Sequence, residues 1–410
     1  MALLFAFTLA PSSLFAADYE GHIDYTSETF VNSIDTLTAD LPDIGKLQGN
    51  MEGDSGEGDS YYSLTFKKDG TVTVKKQYSG KNLTEEKTWN TNGTGLEIKG
   101  NLSSEITDFD DKQLQKLENE NYSIAVGNKT LTLMKYEKGT SIFHLIAVLL
   151  GLMFLNELFR RYKWVALVFF GLVPLLMIPI WMDNGIEHWF RWVKLYSVAV
   201  FGVLVTAIRY TKLGKYKAVV FAAAALLAIN IFEAVLQDFS LGFLPNILNA
   251  IAGILSIITL SKWKNIGPDK SKYKDMVWPA MTMFWIIAYD IWNFTFVYLN
   301  FPAHAAFHFM VLLACTLPIL PKRGAWLQAR VFTLGIWMMY LFTFEPFVDS
   351  HIVELPRNYN LMLFFGILSL LANLAYAIYH FRYVFRGKAP KNFRVGQDET
   401  EEVTTTEQAV

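Results

Sequence analysis

Between residues 190 and 310 the sequence sets carboxylates, amides, cations and imidazoles inside apolar runs. Asp290 and Asn293, in WIIAYDIWNF (285–294), are three residues apart, which puts both on one helix face. Asn230, Glu233 and Gln237 in AINIFEAVLQDF (228–239) follow one another at helical intervals, and Asn246 and Asn249 open NILNAIAGILSIIT (246–259) one turn before Gly253. Arg191 and Lys194 stand close to Glu187 and His188. A carboxylate at mid-bilayer costs about 2.5–3.5 kcal/mol on insertion scales, so Glu233 and Asp290 together cost about 5–7 kcal/mol unless cations, amides or water satisfy them. Asparagines in apolar helices often serve only as interhelical glue worth about 0.6–2 kcal/mol, but glue does not require charge. The pattern therefore predicts an outward-opening polar cavity among the middle spans. Its binding groups would be Glu233, Asp290, Asn230, Asn293, Asn246, Asn249, Arg191 and Lys194, and its occupant a cation, a proton or a small solute.

His304 and His308, in HAAFH, also share a face. Histidines at i and i+4 suit one Zn²⁺ ion if a carboxylate from another helix completes the set. The bland alternative is a pair of interfacial histidines after Phe301-Pro302. Cys315 is the single cysteine, so no intrachain disulfide or cysteine metal cluster forms.

The elements that must position these groups divide the chain in two. Residues 19–140 are polar, while 141–385 are mostly Leu, Ile, Val, Phe, Ala and Trp. Nine apolar runs (141–159, 164–182, 189–208, 218–236, 243–260, 277–299, 304–320, 327–345 and 360–381) approach the length that a bilayer requires, about 20 residues. MALLFAFTLAPSSLFAA (1–17) reads as a secretory signal, or an uncleaved anchor, that sends residue 18 onward across the membrane. Placing residue 140 outside puts RRYK (160–163), RYTKLGKYK (209–217), SKWKNIGPDKSKYKD (261–275) and PKRG (321–324) in the cytoplasm, in keeping with the excess of cations on that side. The acidic tail 396–410 reads as disordered, and a formal net charge of −2 with no basic patch argues against nucleic acid.

Before the apolar runs, 28–41 has a helical stripe ended by Pro42. SYYSLTFKKDGTVTVKKQY (60–78) then reads as a hairpin turning at Asp69-Gly70, LTEEKTWN and GLEIKG continue the meander, and 122–136 forms a last hairpin at Gly127-Asn128. EGDSGEGDS (52–60) lacks the spacing of a calcium loop. The strands LTFKKDGTVTV, TWN, LEIKG, YSI and KTLTL resemble the small lipocalin-like domains of bacterial surface proteins, which implies a small closed or curled sheet and leaves any extracytoplasmic ligand open.

AINIFEAVLQDF, NILNAIAGILSIIT, WIIAYDIWNF and GAWLQAR (324–330) resemble a bacterial multi-pass membrane family known only as a domain of unknown function. That resemblance covers 145–380 and implies an envelope protein with many helices, but no activity. HAAFH is similar in outline to the HxxxH of membrane hydrolases related to alkaline ceramidases and adiponectin-type receptors. Their third histidine and partner serine have no counterpart here, and His188 would have to serve.

The expected architecture is a signal peptide (1–17), an extracytoplasmic all-β lipocalin-like domain (18–139), a polytopic membrane bundle of about nine helices (140–385) and a cytoplasmic tail (386–410). The expected location is the bacterial inner membrane, with the lipid bilayer as the partner of the bundle. Three functions stay open: a transporter-like protein using Glu233 and Asp290, a zinc-dependent lipid hydrolase using His304 and His308, and a non-catalytic envelope sensor or scaffold.

Overall fold

A computed structural model of the chain describes residues 41, 44–51, 59–92, 95–100, 103–117, 121–127, 129–183 and 189–385. The expected signal segment, the 28–41 helix up to residue 40, most of EGDSGEGDS, Glu187, His188 and the acidic tail lie outside them.

Eight antiparallel strands close into a barrel: β1 (Lys46–Met51), β2 (Ser60–Phe66), β3 (Thr71–Tyr78), β4 (Lys81–Asn92), β5 (Gly95–Lys99), β6 (Lys112–Lys116), β7 (Tyr122–Val126) and β8 (Lys129–Lys135). Each pairs with the next, and β1 closes the circle on β8 through Leu47↔Lys135 and Gln48↔Met134. Alternation decides what fills it. Leu64, Phe66, Val72, Val74, Trp89, Ile98, Leu114 and Leu133 turn inward and form one apolar core, so the lumen is packed with side chains. The Asp69-Gly70 turn forms as the sequence predicts. Gly70 adopts φ +84°, and Asp69 accepts from the Thr71 backbone N–H at 2.9 Å.

Two residues after β8 the chain becomes helical. The helices are α1 (Lys138–Arg161), α2 (Lys163–Gly171), α3 (Val173–Leu176), α4 (Ile178–Asp183), α5 (Trp189–Tyr210), α6 (Lys217–Leu241), α7 (Leu244–Ile258), α8 (Met283–Asn300), α9 (Ala305–Thr316), α10 (Trp326–Thr343), α11 (Glu345–Ser350) and α12 (Tyr359–Val384). Thr282 and Asn358 cap α8 and α12 by accepting from backbone N–H groups, and Gly242 at φ +68° ends α6.

All nine apolar runs contain helix, but nine transmembrane helices is more than their lengths and composition support. Among the described residues five helical stretches are long and apolar enough to cross a membrane: α1, α5 from Arg191, α6, Pro302–Ile319 around α9, and α12. The second run breaks into α2, α3 and α4, with Pro174 opening one piece, and α7 has 15 residues. Helices α8 and α10 are helical over 18 residues each, but polar groups dilute their apolar character. They are buried at 12 and 14 of those positions, so protein surrounds them on nearly all sides. The peripheral helices do the opposite. Phe143, Ile146, Leu150 and Phe154 of α1 form an exposed stripe, as do Phe364, Ile367, Leu371 and Ile378 of α12. Exposed apolar stripes around a core that holds charges are what a bilayer solvent selects.

Close packing places α7. A Cβ on Gly253 would come within 2.4 Å of Val235 Cγ2 on α6 and 2.8 Å of Trp292 Nε1 on α8. Gly253→Leu is expected to lower stability by about 1–3 kcal/mol through overpacking. The check is the thermal midpoint of the detergent-solubilised protein, and an unmoved midpoint would show that these helices are not in tight contact.

The barrel sits on one end of the helices. Lys46 pairs with Glu354 at 2.9 Å, Gln48 Nε2 donates to the Ile352 carbonyl at 3.1 Å, and Arg357 donates to the carbonyls of Lys81 (2.7 Å) and Leu299 (2.8 Å). Tyr61, Ala303 and Ile352 form a small apolar seat between the two parts. This contact gives the bundle a barrel end, where α8 finishes and α9 begins, and an opposite end.

Candidate functional site

Three helices, α8, α9 and α10, bring a charged network into the centre of the bundle. Asp290 Oδ2 accepts from Thr316 Oγ1 at 2.7 Å, and Trp326 Nε1 donates to that same hydroxyl oxygen at 3.1 Å. Arg330 donates through Nη2 to Asn293 Oδ1 at 2.8 Å, and His308 Nε2 reaches the same oxygen at 2.7 Å. The helical period explains the layering. Asp290 and Asn293 lie one turn apart on α8, so one meets the last residue of α9 and the other meets His308, two turns earlier in that helix.

The network is incomplete. Asp290 Oδ1 and Arg330 Nε and Nη1 are buried without hydrogen-bond partners. Asp290 and Arg330 act on each other electrostatically without direct contact, and Tyr289 and Cys315 border the same space. Buried polar atoms left unpaired cost about 1–3 kcal/mol each and more when charged, so three in one place are not explained by packing alone. Of the two best-formed cavities among the described residues, neither touches Asp290 or Arg330. The site is closed.

A line of polar groups joins it to the barrel. His308 is within electrostatic reach of His304, and His304 Nε2 lies 3.9 Å from Asp59 Oδ2 at the start of β2. Arg191 pairs with Glu345 at 2.8 Å beside His304, and Lys194 pairs with Glu233 at 2.9 Å. Lys194 also feels Arg330. Glu233 and Asp290 therefore have separate direct partners, Lys194 for one and Thr316 for the other. Asn230 turns back to the Leu226 carbonyl of its own helix at 3.1 Å.

Depth departs from the sequence expectation. Glu233, Arg191, Lys194 and the histidines lie toward the barrel. Asp290 lies level with Thr316 and Trp326, the ends of α9 and α10 remote from it. His304 and His308 have different partners, and among the described residues no three His, Cys, Asp or Glu side chains converge to hold a metal ion.

Asn246 and Asn249 join a second cluster. Asp238 Oδ1 accepts from Asn246 and Asn300, each at 2.8 Å, and Oδ2 accepts from Asn249 at 2.7 Å. Ser369 donates to Asn249 Oδ1 at 2.6 Å and ties the cluster to α12. A third cluster closes the end opposite the barrel. There the buried Asp275 binds Arg160 (3.0 Å), Lys322 (2.8 Å) and Gln328 (3.2 Å), and Lys322 also pairs with Asp269.

Sequence reasoning passed over Arg330, Asp238, Thr316 and Asp275. A single arginine four residues into a predicted span reads as an interfacial anchor, and nothing local says that it turns inward. Asp238 stood in a quoted stretch, and its helical distance from Asn246 and Asn249 spans a Gly242 turn that hides the convergence.

Comparison with curated proteins gave no match, and comparison with solved structures gave none either. A family model does match, over residues 135–397, which is more than half of the 410 residues. It begins at the last residue of β8 and takes in α8, α9 and α10 with all three polar clusters, while the barrel lies before it. The chain belongs to the DUF5692 family of unknown function.

Proposed function

We propose that this is a multi-pass protein of the bacterial inner membrane, with the barrel on the extracytoplasmic side, and that its bundle moves protons through the Asp290–Arg330 site. The observation that carries the reading is the buried, unpartnered Asp290 Oδ1 in the field of Arg330, whose Nε and Nη1 are also without hydrogen-bond partners. A carboxylate in that setting is stable only if a proton or a water visits it. Asp59, His304, His308 and Asn293 supply exchangeable groups between the site and the barrel end. The orientation rests on the cations: Arg160, Arg209 and Lys322 meet at the end opposite the barrel, which suits the cytoplasmic face.

The test is proton flux into liposomes holding the purified protein, read with a pH-sensitive dye under an imposed gradient. Asp290→Asn keeps the shape and the hydroxyl contact but removes the titrating oxygen, and flux is expected to fall at least about tenfold, as for loss of an essential proton-transfer group. Equal flux through wild type and variant ends the proposal.

A further inference from the structure

The Asp238 cluster takes no part in the Asp290 site. It lies at the barrel end, where the last turns of α6 and α8 meet the first turn of α7. Asp238, Asn246 and Asn300 are each 0% exposed. The carboxylate is held by three neutral amides and has no cationic partner among the described residues. A buried carboxylate needs charge compensation as well as hydrogen bonds. The local dipoles point the same way. Two helix C-termini bring partial negative charge and one N-terminus brings partial positive charge, so the balance favours a cation. An acceptor also stands idle, because Asn246 Oδ1 is buried without a hydrogen-bond partner. Asn300 Oδ1 receives one long contact, 3.4 Å, from Asn246 Nδ2.

We propose that Asp238, Asn246 and Asn300 form a binding site for a sodium ion. One carboxylate matches one positive charge, and uncharged amide oxygens complete a hard-oxygen ligand set, whereas a divalent ion draws on several carboxylates. Binding requires only the Asn246 amide to rotate by half a turn about its last torsion, which sets its Oδ1 beside Asp238 Oδ1 and Asn300 Oδ1, while Asn300 Nδ2 keeps its bonds to Asp238 (2.8 Å) and to the Phe296 carbonyl (2.7 Å). The proposal goes beyond proton movement at Asp290 and stands without it.

Thermal unfolding of the full chain in detergent, in sodium chloride against choline chloride at equal ionic strength, decides the matter. Sodium is expected to raise the midpoint saturably by about 3–5 °C, since a ligand that binds only the folded state stabilises it. Asp238→Asn is expected to abolish that rise, while Asp290→Asn keeps it, so the two sites are tested separately. If Asp238→Asn does not fold, Asn246→Ala replaces it, with an expected loss of at least tenfold in sodium affinity. Equal wild-type midpoints in sodium and choline, which a protonated Asp238 would give, overturn the proposal. So does a sodium response that survives Asp238→Asn or is unchanged in Asn246→Ala.

Discussion

Asp275→Ala is expected to destabilise the protein by about 3–5 kcal/mol, the range for removing one partner of a buried ionic cluster. Asp275 is wholly buried and gathers Arg160, Lys322 and Gln328, and Arg209 lies 3.9 Å away. Without it those cations are left facing one another. Around this point Arg209 also donates to the carbonyls of Arg160 (2.5 Å) and Tyr273 (2.9 Å), and Gln328 Oε1 accepts from the Met276 N–H at 2.8 Å. The connection between α7 and α8 is thus bound to α1, α5 and α10 through one carboxylate. Denaturant or thermal unfolding in detergent measures the loss, and a change under about 1 kcal/mol would show that the cations find other partners.

The same residue predicts a pH dependence. Burial pushes the Asp275 carboxyl up, but Lys322, Arg160 and Gln328 outweigh it and hold the group below the usual carboxylate range. A depressed folded-state value means that its contribution is complete above the unfolded value, about 3.9, and is lost as pH falls through the folded one. Stability is therefore expected to drop below about pH 4, with a shallower acid limb in Asp275→Ala.

Arg330→Met is expected to cost about 3–5 kcal/mol as well, because it leaves the buried Asp290 Oδ1 without its counter-charge and strips Asn293 of a donor. The decisive measurement is the double-mutant cycle with Asp290→Asn. Removing both charges is expected to recover at least about 1 kcal/mol relative to the sum of the single variants, since charges in one network couple by about 0.5–3 kcal/mol. Strict additivity would mean that the two charges do not sense each other, and the proposed proton site would lose its electrostatic basis.

How legible the site was depends on the range of the signal. Asp290 and Asn293 were singled out because a charge in an apolar run announces its own cost, and that cost is a property of the run. Arg330 was not, because the end of a predicted span is where an arginine reaches water, and only packing shows that α10 is surrounded. Two of the runs beyond the five long apolar helices have the same origin. Apolar length counts alike for a helix that faces lipid and for one that faces other helices, so α8 and α10 read as ordinary spans when they are the inner pair. Strands β2 to β5, β7 and β8 were legible from alternation and the Asp69-Gly70 turn, whereas β1 and β6 were not, and the closure through β1 and β8 joins residues too far apart for any local pattern to pair.

Local chemistry alone determined that residues 60–100 and 122–136 alternate as strands, that apolar helices follow, and that acids and amides recur inside them at helical spacing. Periodicity and the cost of buried charge act within a few residues and need no partner to be read. Tertiary structure decided which groups come together: Asp290 within the field of Arg330, Asp238 with three asparagines, Asp275 with cations from two helices and the α9–α10 connection. A side chain's partners are set by which helix faces touch, and that is fixed by packing across the whole bundle.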